Sequence, residues 1–218
     1  MRRKAHQPAR RRAAPSPRRA RWIAGGIVVV AALLVYANTL NNPFVYDDFH
    51  TVVANPSLRP PLSLEFVLVH SPFRPVVNLS YALDRAVWGF RPAGFHLTNT
   101  LLHATMAGLV FLVITGAITD ARERRGEPAR ADGLDVLAAS AAAVLFAVHP
   151  LMSSAVAYVS GRSELLCGVF FAAGLLCARS AMSRGDLARP DTSPARPAVD
   201  RHRFAGALAI LLGAFAVL

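Results

Sequence analysis

An all-α polytopic membrane protein is the fold class this sequence predicts, on three observations. Hydrophobic residues make up 54% of the 218 residues, a share suited to a membrane class. Four or five apolar stretches divide the chain. Lys and Arg crowd into alternate gaps between them: the tail 1–21, the segment 119–133 and the segment 179–203 hold 19 of the 24 basic residues. The other gaps hold only Arg59, Arg74, Arg85, Arg91 and Arg162. Cytoplasmic loops of polytopic proteins retain Lys and Arg, so the alternation predicts a cytoplasmic N-terminus and a large first outer loop.

The elements follow in order. Residues 1–21 are mostly Arg, Ala and Pro and read as a disordered basic tail. Helix 1 is expected over about Trp22–Asn38; its uncharged run to Leu40 has the ~20 residues a spanning helix needs. Val35-Tyr36-Ala37 has the small residues of a signal-peptide cleavage site, but the length favours an uncleaved helix. An outer loop over 39–95 follows, with short surface helices expected at 66–69 and 76–86. Further helices are expected near 96–118, 134–148, 165–178 and 204–218, making 4–5 membrane helices. The last apolar stretch lacks flanking anchors, so the chain reads as the N-terminal part of something longer.

The net charge of +11 does not indicate nucleic-acid binding, because it alternates between loops instead of forming one basic face. Cys167 and Cys177 share one apolar stretch and have no metal-ligand spacing. No phosphate-cradling Gly loop, zinc motif or Ser-His-Asp order is present. No metal site is assigned, and a divalent metal is left open.

Candidate chemistry gathers at one depth. Asp47 and Asp48 lie about ten residues beyond helix 1. Phe44, Val45 and Tyr46 would hold them against an apolar surface, where desolvation favours a general base. His96, Asn99 and His103 share one helix face by their spacing of three and four. That face serves a pocket or a helix–helix hydrogen bond. His149-Pro150 marks a helix break, and Arg162 and Glu164 follow on the outer side. Arg162 or Arg74 would clamp a lipid-linked phosphate. Equally, Arg162 would pair with Glu164 or snorkel to headgroups. A transporter is disfavoured, because its polar groups should lie near the midplane.

Four motifs carry a family resemblance. Tyr36–Asp48, Phe73–Ser80, Trp88–Asn99 and Leu145–Pro150 with Gly161–Leu166 occur in an order that resembles the transmembrane-and-tetratricopeptide-repeat proteins, a branch of the glycosyltransferase C superfamily. The resemblance implies a glycosyltransferase C-like helix bundle with a structured first outer loop. It implies transfer of a sugar, typically mannose, from a polyprenyl-phosphate donor to Ser or Thr hydroxyls of exported proteins. It places Asp47 and Asp48 at the family's catalytic acidic position. Arg162 and Arg74 then face the donor phosphate, while Tyr46, His96, Asn99, His149 and Glu164 shape the pocket. The bilayer, the lipid-linked sugar and an exported acceptor are the expected partners. The Arg/Ala/Pro-rich tail suggests a high-GC bacterium, hence an inner-membrane location. The rival expectation is a non-catalytic membrane anchor for a repeat-based interaction scaffold.

Overall fold

The computed structural model describes residues 17–185. The expected tail over 1–16, the rest of the third basic segment and the apolar stretch 204–218 lie outside them. Among the described residues every regular element is helical. The helices are α1 (Pro17–Val35), α2 (Leu64–His70), α3 (Pro75–Trp88), α4 (Pro92–Arg124), α5 (Gly133–Val148), α6 (Met152–Ala157) and α7 (Arg162–Gly185). The chain is thus an all-α membrane protein in its described part. Three stretches are long and apolar enough to cross a bilayer: Arg18–Asn41, Pro92–Arg124 and Val159–Ser180. The fourth apolar helix, α5, has only 16 residues.

Helix α1 begins at Pro17 rather than Trp22, so Arg18, Arg19 and Arg21 ride on its first turns and not on a tail. Pro suits the first turn of a helix, where its missing N–H has no partner to lose. The helix passes at Tyr36 into a 3₁₀ turn, Ala37–Asn41. Pro43 then forces Asn42 into an extended conformation (ψ 141°), which ends the helical path. Helix α4 starts at Pro92 and ends beside Gly126, whose φ of +73° only glycine adopts cheaply. It runs 33 residues, ~50 Å at 1.5 Å per residue. Helix α5 opens on a capping box: Asp132 Oδ1 accepts from the N–H groups of Leu134 and Asp135 (2.9 and 3.0 Å), and Asp135 accepts from Asp132 N–H. The Asp135 N–H first, and then the Arg122 guanidinium, hold the Asp132 carboxyl below its usual range.

The spanning core is built from small side chains. Val28 and Ala32 of α1, Ala104, Ala107 and Phe111 of α4, and Ala139, Ala143 and Ala147 of α5 are buried together. Such residues let helix backbones approach closely where lipid offers no hydrophobic drive. A second cluster lies under the first loop and joins Val52, Leu58, Val67, Val77 and Tyr81 to Phe95, Val159 and Leu166. The loop 39–95 is therefore a folded cap on one end of the bundle. Helix α3 is not merely laid on a surface: its Val77, Asn78, Tyr81 and Asp84 are buried inward, while Leu83, Val87 and Trp88 face out. Asn78 locks the cap by accepting from Asn55 Nδ2 (2.9 Å) and donating to Ser57 Oγ (3.0 Å) and the Val67 carbonyl (2.6 Å).

Candidate functional site

The two neighbouring carboxylates separate completely. The segment after Pro43 turns through Tyr46, a non-glycine residue at φ +46° with its ring 85% exposed. Backbone held in that region is uncommon for a bulky residue and clusters at functional turns. The turn sends Asp48 inward and Asp47 outward. Asp48 is fully buried. Its Oδ1 accepts from the N–H and the hydroxyl of Ser160 (2.9 and 2.8 Å), and its Oδ2 accepts from Val45 N–H (3.1 Å). Asp47 stays exposed. Its N–H donates to the Tyr158 hydroxyl (2.9 Å), and its carbonyl accepts from Thr51 (2.9 Å). The expected apolar seat for both groups is absent. Phe44 instead packs edge-on against Phe95 (5.4 Å), Tyr46 points away, and Asp48 is met by hydrogen-bond donors.

These contacts tie the first loop to the link before α7, more than 100 residues away. Gly161 makes the approach possible. A Cβ there would lie 2.8 Å from the Ala155 backbone, so no larger residue lets α6 and the following turn close up. Because 158–160 meets 47–51, the chain must return along the bundle through α5 to reach the end where α1 finished.

Arg162 has a different place from the one its position suggests. It is fully buried. Nε donates to Asn99 Oδ1 (2.7 Å), Nη2 to the Phe95 carbonyl (2.8 Å) and Nη1 to Ser80 Oγ (3.3 Å). Nη1 also forms an ion pair with Asp84 Oδ2 at 2.6 Å, without the alignment of a hydrogen bond. The guanidinium stacks over Tyr81 at 4.7 Å. Its nitrogens are spent on Asn99, Ser80, Phe95 and Asp84 and not on Glu164, so the expected pairing with Glu164 is corrected, and a fully buried side chain does not snorkel: Arg162 braces α3, α4 and α7 together. Asn99 serves the same brace, donating to the Tyr158 carbonyl (3.0 Å). His96 is buried with neither ring nitrogen in an aligned hydrogen bond, beneath the 42–43 backbone. His103 makes the helix–helix hydrogen bond: its Nε2 is 2.9 Å from the Ala147 carbonyl, and Tyr36 meets its ring edge-on. His149 caps the turn after α5, accepting from Leu151 N–H (3.2 Å), and does not line the cleft described next.

Of the residues singled out in the sequence, Asp47, Arg74 and Glu164 come together. They line one open cleft of about 440 Å³ with His50, Tyr158 and Ser160. A carboxylate, a guanidinium and a second carboxylate thus face a solvent-reachable space large enough for a small ligand. Burial raises the Tyr158 phenol above its usual range, and the charges of Asp47 and Asp48 push it the same way. It therefore remains a neutral hydroxyl at physiological pH. Ser160 belongs to the outer link Ser160–Glu164 that the sequence marks; Tyr158 and His50 were not singled out, and the one local signal for Tyr158 was its place directly before that link. Among the described residues no three His, Cys, Asp or Glu side chains gather at metal-ligand distance.

No family model matches the chain, and no solved structure does. Curated proteins do. The chain is 35% identical over 164 residues to Protein O-mannosyl-transferase Tmtc1 of Drosophila melanogaster, covering 69% of this chain and 17% of that protein. It is 34% identical over 164 residues to TMTC4 of Homo sapiens (66% and 21%) and 30% identical over 158 residues to TMTC2 of Mus musculus (66% and 17%), both also Protein O-mannosyl-transferases. The chain thus spans about a fifth of the length of the curated relatives it matches. On about two thirds of its length at 30–35% identity, this chain belongs to the TMTC-like family of protein O-mannosyl-transferase relatives.

Proposed function

We propose that this chain carries part of a membrane glycosyltransferase site of the glycosyltransferase C kind. It moves a mannose-like sugar from a polyprenyl-phosphate donor to hydroxyls of exported proteins. The relatives, protein O-mannosyl-transferases by name, support sugar transfer to protein. The 19-to-5 division of basic residues supports a cytoplasmic N-terminus and hence a cleft at the outer face, and the Arg/Ala/Pro-rich tail supports a bacterial inner membrane.

The observation that carries the reading is the separation of the acidic pair. Asp48 is held by three donors and fixes the loop. Asp47 is thereby presented on the wall of a cleft that also exposes Arg74. A fixed carboxylate beside a cation suits displacement at a sugar C1. Asp47 takes the proton of the acceptor hydroxyl as its oxygen bonds to C1. The bond from C1 to the phosphate oxygen breaks on the opposite face, inverting the centre, and its electron pair leaves with the polyprenyl phosphate. Negative charge grows on that phosphate, and Arg74 stabilises it. Glu164, His50 and Tyr158 bound the acceptor side.

Mass spectrometry of exported proteins from cells with and without the gene product tests the assignment. Hexose on Ser and Thr is expected to disappear without it and to fall sharply with Asp47→Asn, since loss of a general base costs ~10²–10⁴-fold in rate. An unchanged hexose load in the Asp47→Asn cells would leave the chain as a membrane anchor only.

A further inference from the structure

The far end of the bundle holds a second cavity that this chemistry does not use. It encloses about 420 Å³ and is walled by α1, α4, α5, α7 and the 129–131 loop. Arg18, Arg21, Arg130 and Arg179 line it, and among the described residues no carboxylate does. Arg179 is answered by Asp120, whose carboxylate it grips through Nε and Nη2 (2.8 and 2.7 Å). Arg122 is likewise committed, to Glu127, Asp132 and Asp135. Arg18, Arg21 and Arg130 take part in no ion pair among the described residues, and Arg21 Nε is buried with no hydrogen-bond partner. Three arginines thus line one space with no counter-charge among the described residues. Such a cluster favours an anion with several oxygens, which guanidinium binds in pairs.

An adjoining feature identifies the class of anion. A groove between α1 and α4, also about 420 Å³, is lined by Trp22, Gly25, Gly26, Val29, Gly108 and neighbouring apolar side chains. Leu112 lines both the groove and the basic cavity. Trp22 lines the groove, 57% exposed, with the guanidinium of Arg21, which lines the cavity, 5.8 Å from its ring centre. Tryptophan at that level marks a membrane–water interface. A charged head and an apolar tail therefore have contiguous seats at one interfacial depth.

We propose that an anionic glycerophospholipid binds here, its phosphate among Arg18, Arg21 and Arg130 and an acyl chain in the α1–α4 groove. Basic pockets between membrane helices recognise such headgroups. The site lies at the other end of α4 from the acidic cleft: Thr115 and Thr119 line it, whereas Asn99 reaches the Tyr158 carbonyl beside the cleft, ~24–30 Å away along the helix. It is distinct from any donor site there.

Native mass spectrometry of the 218-residue chain, exchanged from detergent into nanodiscs of phosphatidylglycerol or phosphatidylcholine, reads retained lipid directly. Phosphatidylglycerol is expected to remain bound and phosphatidylcholine to be lost. The triple variant Arg18→Gln/Arg21→Gln/Arg130→Gln should reduce retention about tenfold or more, as for loss of charge-assisted hydrogen bonds. Arg130→Gln alone, on an exposed loop, should reduce it in the same direction, whereas Arg124→Gln, outside the cavity, should not. Gly26→Leu fills the groove, since a Cβ there meets nothing within 4 Å, and should weaken lipid retention without affecting binding of inorganic phosphate. Equal retention of the two lipids, or unchanged phosphatidylglycerol in the triple variant, would overturn the proposal. Displacement of the lipid by millimolar inorganic phosphate, equally in wild type and Gly26→Leu, would reduce the site to an anion site without lipid recognition and overturn it as well.

Discussion

Arg162 and Arg74 sit at the same end of the bundle and live in opposite surroundings. Arg162 is sealed between α3, α4 and α7, facing Asp84, Asn99, Ser80 and the Phe95 carbonyl. Arg74 stands at the exposed start of α3, on the wall of the cleft that Asp47 shares. Asp48 and Asp47 repeat the contrast one residue apart. One arginine–carboxylate set is dry, saturated and structural, while the other is wet and open. The proposed transfer needs the second kind, and the first, being rigid, holds the elements on which the second is mounted.

The contrast can be broken first at the brace. Arg162→Met leaves Asp84 buried without its counter-ion, and removal of one partner from a buried pair costs about 3–5 kcal/mol. Thermal unfolding in detergent should show a large loss, and adding Asp84→Leu should recover part of it. A stability equal to wild type would mean that Arg162 is not the clamp. Next comes Asp48→Asn, which sets an amide N–H against one of three donors and should cost about 1–3 kcal/mol. Hydrogen exchange over 42–53 should accelerate, in contrast to Asp47→Asn, which should leave exchange unchanged while sugar transfer falls. Arg74→Lys keeps the charge but loses the two-pronged geometry, and donor-lipid affinity should drop by about tenfold with little change in stability.

The smallest effect is one of pH. Burial pushes the Tyr81 phenol up to about 12, with Arg162 pulling in the opposite direction. Its hydroxyl donates to the Val159 carbonyl (3.1 Å). The folded chain holds this proton more tightly than the unfolded chain, whose phenol titrates near 10. The contribution is therefore complete below pH 10 and is lost as pH rises through about 12. Unfolding followed between these values should show a steeper alkaline loss for wild type than for Tyr81→Phe.

Much of the bundle was legible because its signals are local. Apolar runs and the three-and-four spacing of His96, Asn99 and His103 each lie within a few residues of one another. Arg162 was misread because its partners are distant in sequence: Asp84 lies 78 residues upstream and Asn99 63. Reading Arg162 against Glu164, two residues away, ignored that neighbours so spaced on a helix do not face each other. The acidic pair was taken as one unit, yet consecutive residues on a turn diverge, and only the fold decides which goes inward. The cleft itself arises from the meeting of 47–51 with 154–164, which no periodicity reports.

The brevity of α5 has its own consequence. Its 16 residues rise ~24 Å, against a hydrocarbon thickness of ~30 Å. A bilayer meeting this helix must thin locally, or the helix must be sheltered by α1 and α4, against both of which it packs. Either way the turn after Val148 lies below the general level of the headgroups on its side. In a bilayer of that thickness, the link through Tyr158 to Ser160, which begins there, would floor a depression in the membrane surface. A sugar attached to a lipid would then travel sideways into the cleft instead of rising out of the bilayer to meet it.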